Sequence, residues 1–304
     1  MIKEEFSFYD VADYLYEDNE LIIVGEKTID ERSYFFFDEW NKKGKAILKV
    51  SRTDNERLKY IYVTGGEERE SSEIDLCVET PMLLRRLEVD KKSVLLDMSS
   101  LDHILIMFLT KVLVKIIEPR ALFASYIRPQ KYINQVGNVG FSPSNKVMAI
   151  EAVPGFAKRE CEKQTLCAFL GFEGVRLKSI LETVHNMDRF IPVVAFPSGT
   201  PQWYNVAMWN SMDTLQSECT ELSTCKCFSE SIFDAVEILQ RNITPDERAV
   251  LAPLGTRPHS MACALFACKH PHTRIIYDYA VECQRRAIGI AEIKVYHLTM
   301  FLEV

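Results

Sequence analysis

The stretch PLGTRPHS, residues 253–260, holds the residue types that most clearly suggest ligand chemistry. Gly255 would allow a close approach of the backbone, Thr256 offers a hydroxyl group, and Arg257 offers a planar fork of hydrogen-bond donors. If a helix begins near Pro258, its open backbone amides favour a bound phosphate. A capped helix start, with Thr256 as N-cap and Pro258 in the first turn, explains the same residues without a ligand. At this point both interpretations stay open.

A second turn, DMSSLDH at residues 97–103, follows another apolar run. Ser99 or Ser100 would serve as the N-cap of a helix that begins at Leu101. Asp97 is harder to explain by local structure, because it ends an otherwise apolar strand. An acid at that place can hold a ribose hydroxyl or act as a general acid or base. We therefore predict that Asp97, Ser99 and Ser100 contact a sugar, with Asp97 as the catalytic candidate if there is turnover.

Two more turns, VGEKTIDERS and LGFEGVR, each carry an acid and an arginine after a glycine. Gly171 and Arg176 in the second of them are further candidate ligand contacts. The alternative is structural: Arg176 would form an ion pair with Glu173, as Arg32 would with an acid beside it. Neither turn has the spacing of a dinucleotide fingerprint or of a P-loop, so the sequence predicts no cofactor.

Aromatic residues are concentrated in AFPSGTPQWYNVAMWN, which follows a predicted strand over residues 190–196. Trp203 or Tyr204 could stack against a nucleotide base, since aromatic faces are sequence-tolerant stacking platforms. Trp203 and Trp209 could equally cover the edge of the sheet, as buried tryptophans do. The sequence alone does not separate the two roles.

The cysteines indicate neither a metal site nor a disulfide framework. Cys219, Cys225 and Cys227 are closely spaced, but no second cysteine pair or neighbouring histidine completes a tetrahedral zinc set. The chain has 9 cysteines and begins with an acidic, aromatic stretch unlike a secretory signal, so we expect reduced thiols in a cytoplasmic protein. No metal is predicted.

Along the chain, short apolar runs alternate with helix-like segments. This alternation is typical of parallel strands joined by crossover helices. The predicted strands are residues 20–25, 46–50, 93–97, 121–126, 164–170, 190–196, 249–252 and 274–279. One helix is predicted to end at about residue 43, and another is predicted over residues 101–117. Further helices are predicted after the strands in the second part of the chain. The fold class is therefore α/β, with mostly parallel sheets and flanking helices. Segments 51–90 and 197–228 have no clear period and resemble insertions or elaborations of the crossover connections.

The series repeats itself, which predicts an internal duplication. The segment that begins at Leu21 aligns with the one that begins at Leu166, and SVLLDMSSLDH aligns with AVLAPLGTRPH without a gap, so that His259 meets His103. We predict two Rossmann-like halves, residues 1–150 and 164–304. The turns at 97–100 and 253–257 should then border one groove, because the carboxyl ends of parallel strands share a face.

The doubled scheme resembles the CARF family, the CRISPR-associated Rossmann-fold sensor domains, and related antiviral-defence proteins. Gly255, Thr256, Arg257 and Pro258 carry the resemblance, with looser support from Ser99 and Ser100. It implies a nucleotide-type ligand, a cyclic oligonucleotide in the family, held between the two halves. His259, in the same turn, is a further candidate ligand contact. The family turn has lysine where this chain has Arg257, and no effector segment is recognisable, so a sensing role would need a protein partner or a homo-oligomer.

The bulk composition restricts the kinds of partner that this protein is expected to have. The formal net charge of −7 argues against an extended nucleic-acid surface, and the longest apolar run, near residues 101–117, is too polar to cross a membrane. The sequence thus predicts a ligand-binding sensor or adaptor in a larger assembly. The alternatives are a nucleotide- or nucleoside-processing hydrolase, with Tyr126 or Tyr277 orienting the substrate, and a structural subunit without a ligand.

Overall fold

The structure is a computed structural model that describes residues 3–9, 19–26, 32, 40–132, 149–157, 163–199, 201–218, 224–279 and 287–302. Two compact units divide the chain. Unit 1 comprises Met1–Ile133 and Gln284–Val304, and unit 2 comprises Asn134–Cys283. The predicted halves, 1–150 and 164–304, differ from these units at the end of the chain, because the last strand pairs within unit 1.

The strands are β1 to β14 in chain order. Their bounds are Glu5–Phe8, Leu21–Gly25, Ala46–Arg52, Arg57–Thr64, Glu67–Asp75, Ser93–Asp97, Ala121–Tyr132, Ile150–Ala152, Gln164–Phe169, Met187–Ala195, Cys225–Cys227, Ala249–Pro253, Arg274–Asp278 and Ala287–His297. The α-helices, α1 to α7, are Glu79–Arg86, His103–Val112, Gly174–Thr183, Pro201–Glu218, Ile232–Asn242, Arg257–Lys269 and Leu298–Leu302. A π-helical turn over Leu113–Ile117 continues α2.

Unit 1 contains an eight-stranded sheet in the order β1-β14-β7-β6-β2-β3-β4-β5. Its four central strands, β7, β6, β2 and β3, are parallel to one another, whereas the strands beyond them pair antiparallel. The centre is parallel because β2 and β6 are almost continuously apolar and buried, as strands covered on both faces must be.

Unit 2 contains a six-stranded sheet in the order β11-β10-β9-β12-β13-β8. Strands β11, β10, β9, β12 and β13 are parallel, and β8 pairs antiparallel with β13 at the edge. All residues of β9 and β12 are buried, and their apolar side chains form the core with Leu177 and Ile180 of α3. The α/β fold class predicted from the sequence is confirmed.

The segment 51–90, predicted as an insertion, completes the unit 1 sheet. Strands β4 and β5 form an antiparallel hairpin on β3, and α1 follows them. The second such segment, 197–228, contains α4 and the short edge strand β11. None of the described helices has both the length and the apolar character needed to cross a bilayer.

Candidate functional site

In each unit the carboxyl ends of the parallel strands form a rim. In a parallel sheet, ligands bind beyond these ends where connections leave in opposite directions. In unit 2 that point lies between β9 and β12, since β10 is on one side of this pair and β13 on the other. In unit 1 it lies between β2 and β6. We call these edges, with the side chains that cover them, the unit 1 rim, residues 25–26, 51–52 and 97–102, and the unit 2 rim, residues 170–173, 196–199, 203–204, 226–231 and 254–259.

A glycine in each rim touches the backbone of the neighbouring turn. A Cβ atom on Gly171 would lie 2.2 Å from the carbonyl oxygen of Leu254. In unit 1, a Cβ atom on Gly25 would lie 2.0 Å from the carbonyl oxygen of Ser100. These contacts exclude any side chain, so backbone packing alone accounts for Gly171, which the sequence analysis offered as a ligand contact.

The turn after β12 is closed by its own hydrogen bonds. Thr256 is the N-cap of α6, and its backbone N–H donates to Nδ1 of His259 at 3.3 Å. Its hydroxyl donates to the carbonyl oxygen of Ser229 at 2.6 Å, and Pro258 lies in the first turn of the helix. Gly255 lies against His259, whose Nδ1 would be 2.6 Å from a Cβ atom there. These contacts favour the capping interpretation over phosphate binding.

The side chains of Arg257 and His259, in the first turn of α6, are buried. Arg257 is 4 % exposed and His259 is fully buried, with its imidazole ring 4.7 Å from that of Phe169. Burial lowers the pKa of His259 to about 4, against the opposing effects of a hydrogen bond to the Phe228 backbone and of Asp234. His259 is therefore neutral at physiological pH, and Nδ1 remains the acceptor that the helix start requires.

Arg176 forms a buried ion pair that the sequence analysis did not predict. Its Nε donates to Asp278 Oδ2 at 2.6 Å, and its Nη2 donates to Asp278 Oδ1. The predicted partner, Glu173, is also present, at 3.6 Å from Nη1. Burial by itself would lower the pKa of Arg176, but Tyr277 and Asp278 raise it above its ordinary value. The guanidinium group thus stays charged inside unit 2, and the carboxylate of Asp278 balances its charge.

The polar residues predicted on the other turn lie inside unit 1. Asp97 is 1 % exposed, and its Oδ1 accepts from the Ser99 backbone at 3.0 Å and from the Ser125 hydroxyl at 3.2 Å. The Ser99 hydroxyl accepts from the backbone of Ile127 at 2.7 Å. The Ser100 hydroxyl accepts from the backbone of Gly25 at 2.9 Å. These side chains join β2, β6 and β7 at their ends.

The predicted cap of α2 requires a correction. Asp102, not Ser99 or Ser100, is the N-cap, and its Oδ1 accepts from the Leu105 backbone at 2.8 Å. The turn between strand and cap is two residues longer than the turn between β12 and Thr256. The gapless alignment of these turns therefore does not match equivalent helix starts.

A charged cluster on the unit 1 rim was missed by the sequence analysis. Glu26 accepts from the Ser51 hydroxyl at 2.6 Å and forms an ion pair with Lys59. Next to it, Arg52 pairs with Asp102 at 3.0 Å. Glu26 follows a predicted strand and its glycine, which is the signal that could have found it. Each of these charges has an opposite charge beside it, so the cluster is internally balanced.

The unit 2 rim is aromatic instead. Trp203 and Tyr204 of α4 are both partly exposed. Trp203 packs against Gly199, where a Cβ atom would lie 2.3 Å from its ring, and edge-on to Phe172. Tyr204 lies edge-on to Phe196, with ring centres 5.2 Å apart. Trp209, on the same helix, is 82 % exposed.

Phe172 and Phe196 were also missed, although Phe196 directly follows β10 and Phe172 lies three residues beyond the end of β9. The exposed Lys226 of β11 places its Nζ 4.8 Å from the centre of the Phe196 ring. The rim therefore combines partly exposed aromatic faces with a cation. Stacking and anion contacts are the chemistry that such an arrangement can perform.

The cysteines of unit 2 are packed in its core. Cys167, Cys227 and Cys263 are buried, and burial raises the pKa of each thiol. Cys225 is partly buried, and Cys219 lies outside the described residues. Across the described ranges, no group of three or more histidine, cysteine or acidic side chains is arranged to hold a metal ion.

Comparisons with protein-family models, with curated proteins and with solved structures found no match to this chain.

Proposed function

We propose that this protein binds a nucleotide-type small molecule at the unit 2 rim and acts as a sensor or adaptor. The observation that carries the proposal is the aromatic group of Phe172, Phe196, Trp203 and Tyr204 at the carboxyl ends of β9 and β10. Large aromatic surfaces are normally buried or engaged, and here they are left partly exposed where parallel sheets bind ligands. Every nucleotide base has a face that can stack on them.

The proposal changes the roles of the residues first considered. Thr256, Pro258 and His259 build the helix start within the rim, and Arg176 and Arg257 are buried. Trp203 and Tyr204 keep the stacking role suggested by the sequence. The hydrolase alternative would need substrate access to Asp97, which is 1 % exposed and accepts hydrogen bonds from Ser99 and Ser125.

We also infer that the two units are Rossmann-like and arose by duplication. In both, the first parallel strand (β2 or β9) is central, the next (β3 or β10) lies on one side of it, and two later parallel strands lie on the other side, with an antiparallel strand beyond them. Gly25 and Gly171 make the same close approach to the turn after the neighbouring strand. Such agreement favours the resemblance to CARF-like sensors, with output through a partner in a defence-type assembly.

Thermal denaturation of the full chain against nucleoside monophosphates and cyclic oligonucleotides, followed by calorimetric titration of those that stabilise it, tests the proposal. Trp203→Ala should weaken binding about 5- to 150-fold, since one base stack contributes about 1–3 kcal/mol. Trp209→Ala is the matched control, because it removes an equal side chain from the exposed face of the same helix. Its affinity should equal that of the wild type.

Trp203→Phe separates stacking from folding, because it keeps a ring against Gly199. Partial recovery of affinity by this variant would support a stacking role. If no compound of the panel shifts the wild-type midpoint at saturating concentration, the proposed function is wrong. Equal losses in Trp203→Ala and Trp209→Ala would contradict the placement of the ligand on this rim.

A further inference from the structure

We propose that Lys226 is the anion-binding residue of the unit 2 rim, so that the ligand is a phosphorylated nucleoside rather than a nucleoside or a free base. This inference rests on the proposed function, and it assigns a residue that the sequence analysis did not consider. It also assigns the phosphate to a part of the fold other than the turn after β12.

The position of Lys226 is set by the sheet. It lies on β11, where it is paired with Val194 of β10, one residue before the strand β10 ends. Its side chain is exposed, yet the ammonium group stays 4.8 Å from the centre of the Phe196 ring. Phe196 is itself 46 % exposed and contacts Tyr204. Lys226 therefore reaches the same aromatic group that would stack the base.

The charge of Lys226 is available to a ligand. Within the part of the chain that the structure describes, Lys226 has no carboxylate within ion-pair distance, and its contact is the Phe196 ring. Other lysines differ: Lys59 pairs with Glu26 and Lys178 lies 4.0 Å from Glu182. An exposed cation–π contact is weak, whereas a phosphate forms a charge-assisted hydrogen bond with an ammonium group.

The arginines first considered for this role cannot serve it as they stand. Arg176 is held by the carboxylate of Asp278, and both of these side chains are buried. Arg257 is 4 % exposed, so its guanidinium group does not reach solvent. Thr256 uses its hydroxyl and its backbone N–H within the turn. The accessible positive charge that stands beside the aromatic side chains is that of Lys226.

The experiment compares each nucleoside with its own 5′-monophosphate. Adenosine, cytidine, guanosine and uridine and the four monophosphates are titrated calorimetrically into the full chain, as wild type, Lys226→Met, Lys226→Arg and Lys178→Met. The wild type should bind the preferred monophosphate at least about tenfold more tightly than its nucleoside. Lys226→Met keeps the apolar stem and should remove that difference while leaving nucleoside affinity unchanged.

The remaining variants complete the design. Lys226→Arg should retain the preference for the monophosphate, and Lys178→Met, which removes an exposed lysine elsewhere on unit 2, should behave as the wild type. Equal affinity of the wild type for nucleoside and monophosphate would overturn the role of Lys226 and leave the stacking proposal intact. Equal losses of affinity for the nucleoside and for the monophosphate in Lys226→Met would also overturn the role of Lys226 and leave the stacking proposal intact. If neither class binds the wild type, the proposed function itself fails.

Discussion

The rims of the two units use one backbone arrangement for opposite chemistry. Positions of the two rims can be matched by counting along the paired strands from Gly25 and Gly171. At three matched positions, unit 1 has a polar residue and unit 2 has an apolar one. These positions are Glu26, Ser51 and Arg52 in unit 1, and Phe172, Phe196 and Pro197 in unit 2. The first rim is thus a set of balanced ion pairs, and the second is an aromatic surface.

The contrast separates what the fold requires from what is free to change. The glycine contact is present in both units because two backbones meet there, and no side chain can substitute. Glu26 and Phe172, which directly follow the glycines, are both partly exposed and differ between the units. We therefore expect function to follow the partly exposed aromatic residues of unit 2, and stability to follow the shared contacts.

The largest effect should come from breaking the buried ion pair of unit 2. Arg176→Met leaves the carboxylate of Asp278 buried without its main counter-charge, which should cost about 3–5 kcal/mol of unfolding free energy. Hydrogen exchange measured by mass spectrometry should show faster exchange in unit 2 peptides, with unit 1 peptides unchanged. The double variant Arg176→Met/Asp278→Asn should recover part of the loss. A single variant as stable as the wild type would show that the pair is dispensable.

The glycine contacts should be equally important in the two units. Gly25→Ala and Gly171→Ala each force a Cβ atom to about 2 Å from a backbone carbonyl oxygen, and we expect losses of about 3 kcal/mol or more. Gly44→Ala is the control, because a positive φ of 65° costs only about 1–2 kcal/mol where a Cβ atom has space. Chemical denaturation followed by hydrogen exchange assigns each loss to its unit. If the glycine-to-alanine variant of one unit were as stable as the wild type and the other were not, the two rims would not be equivalent.

Lowering the pH should reduce the stability of unit 2 through protonation of His259. The pKa of His259 is lowered to about 4 in the folded protein, from 6.5 in an unfolded chain, so the unfolded state binds more protons between these values. The stabilising contribution is complete above pH 6.5 and falls as the pH decreases toward 4, by up to about 3 kcal/mol. The physical reason is burial, which disfavours the charged imidazolium. A protonated ring also can no longer accept from the Thr256 backbone.

Unfolding measured from pH 7 to pH 4 checks this effect. His259→Gln should have a flatter stability profile than the wild type over that range, with the change confined to unit 2 peptides in hydrogen exchange. The same slope in wild type and His259→Gln would refute the assignment.

The sequence predicted the strands that build the centres of both sheets, because β6, β9 and β12 are short, almost wholly apolar runs. It did not predict the β4–β5 hairpin. The β5 sequence EERESSEID is an exposed, charged edge strand, and its charges protect the edge instead of marking a core face.

Within the rims, local rules located the turns but not the partners. The cap of α2 was misplaced because the turn after β6 has two additional residues, which no period reveals. Asp278 is separated from Arg176 by 102 residues, so their pairing follows from the strand order and not from any local pattern. The aromatic group was found in part, since Trp203 and Tyr204 are adjacent, whereas Phe172 and Phe196 join them only in the folded unit.

The smallest effect concerns Asp97, which decides whether the unit 1 rim is only structural. Asp97→Asn keeps an Oδ1 atom that can accept from Ser99 and Ser125, so it should cost about 1 kcal/mol or less. Asp97→Ala removes the acceptor, leaves both donors buried, and should cost about 2 kcal/mol in chemical denaturation. Neither variant should change ligand affinity at the unit 2 rim. A catalytic Asp97 would behave differently: hydrolysis of nucleotides or nucleosides by the wild type would be lost in Asp97→Asn while its stability stayed near wild type. That result would make the unit 1 rim the chemically active one and reverse the comparison.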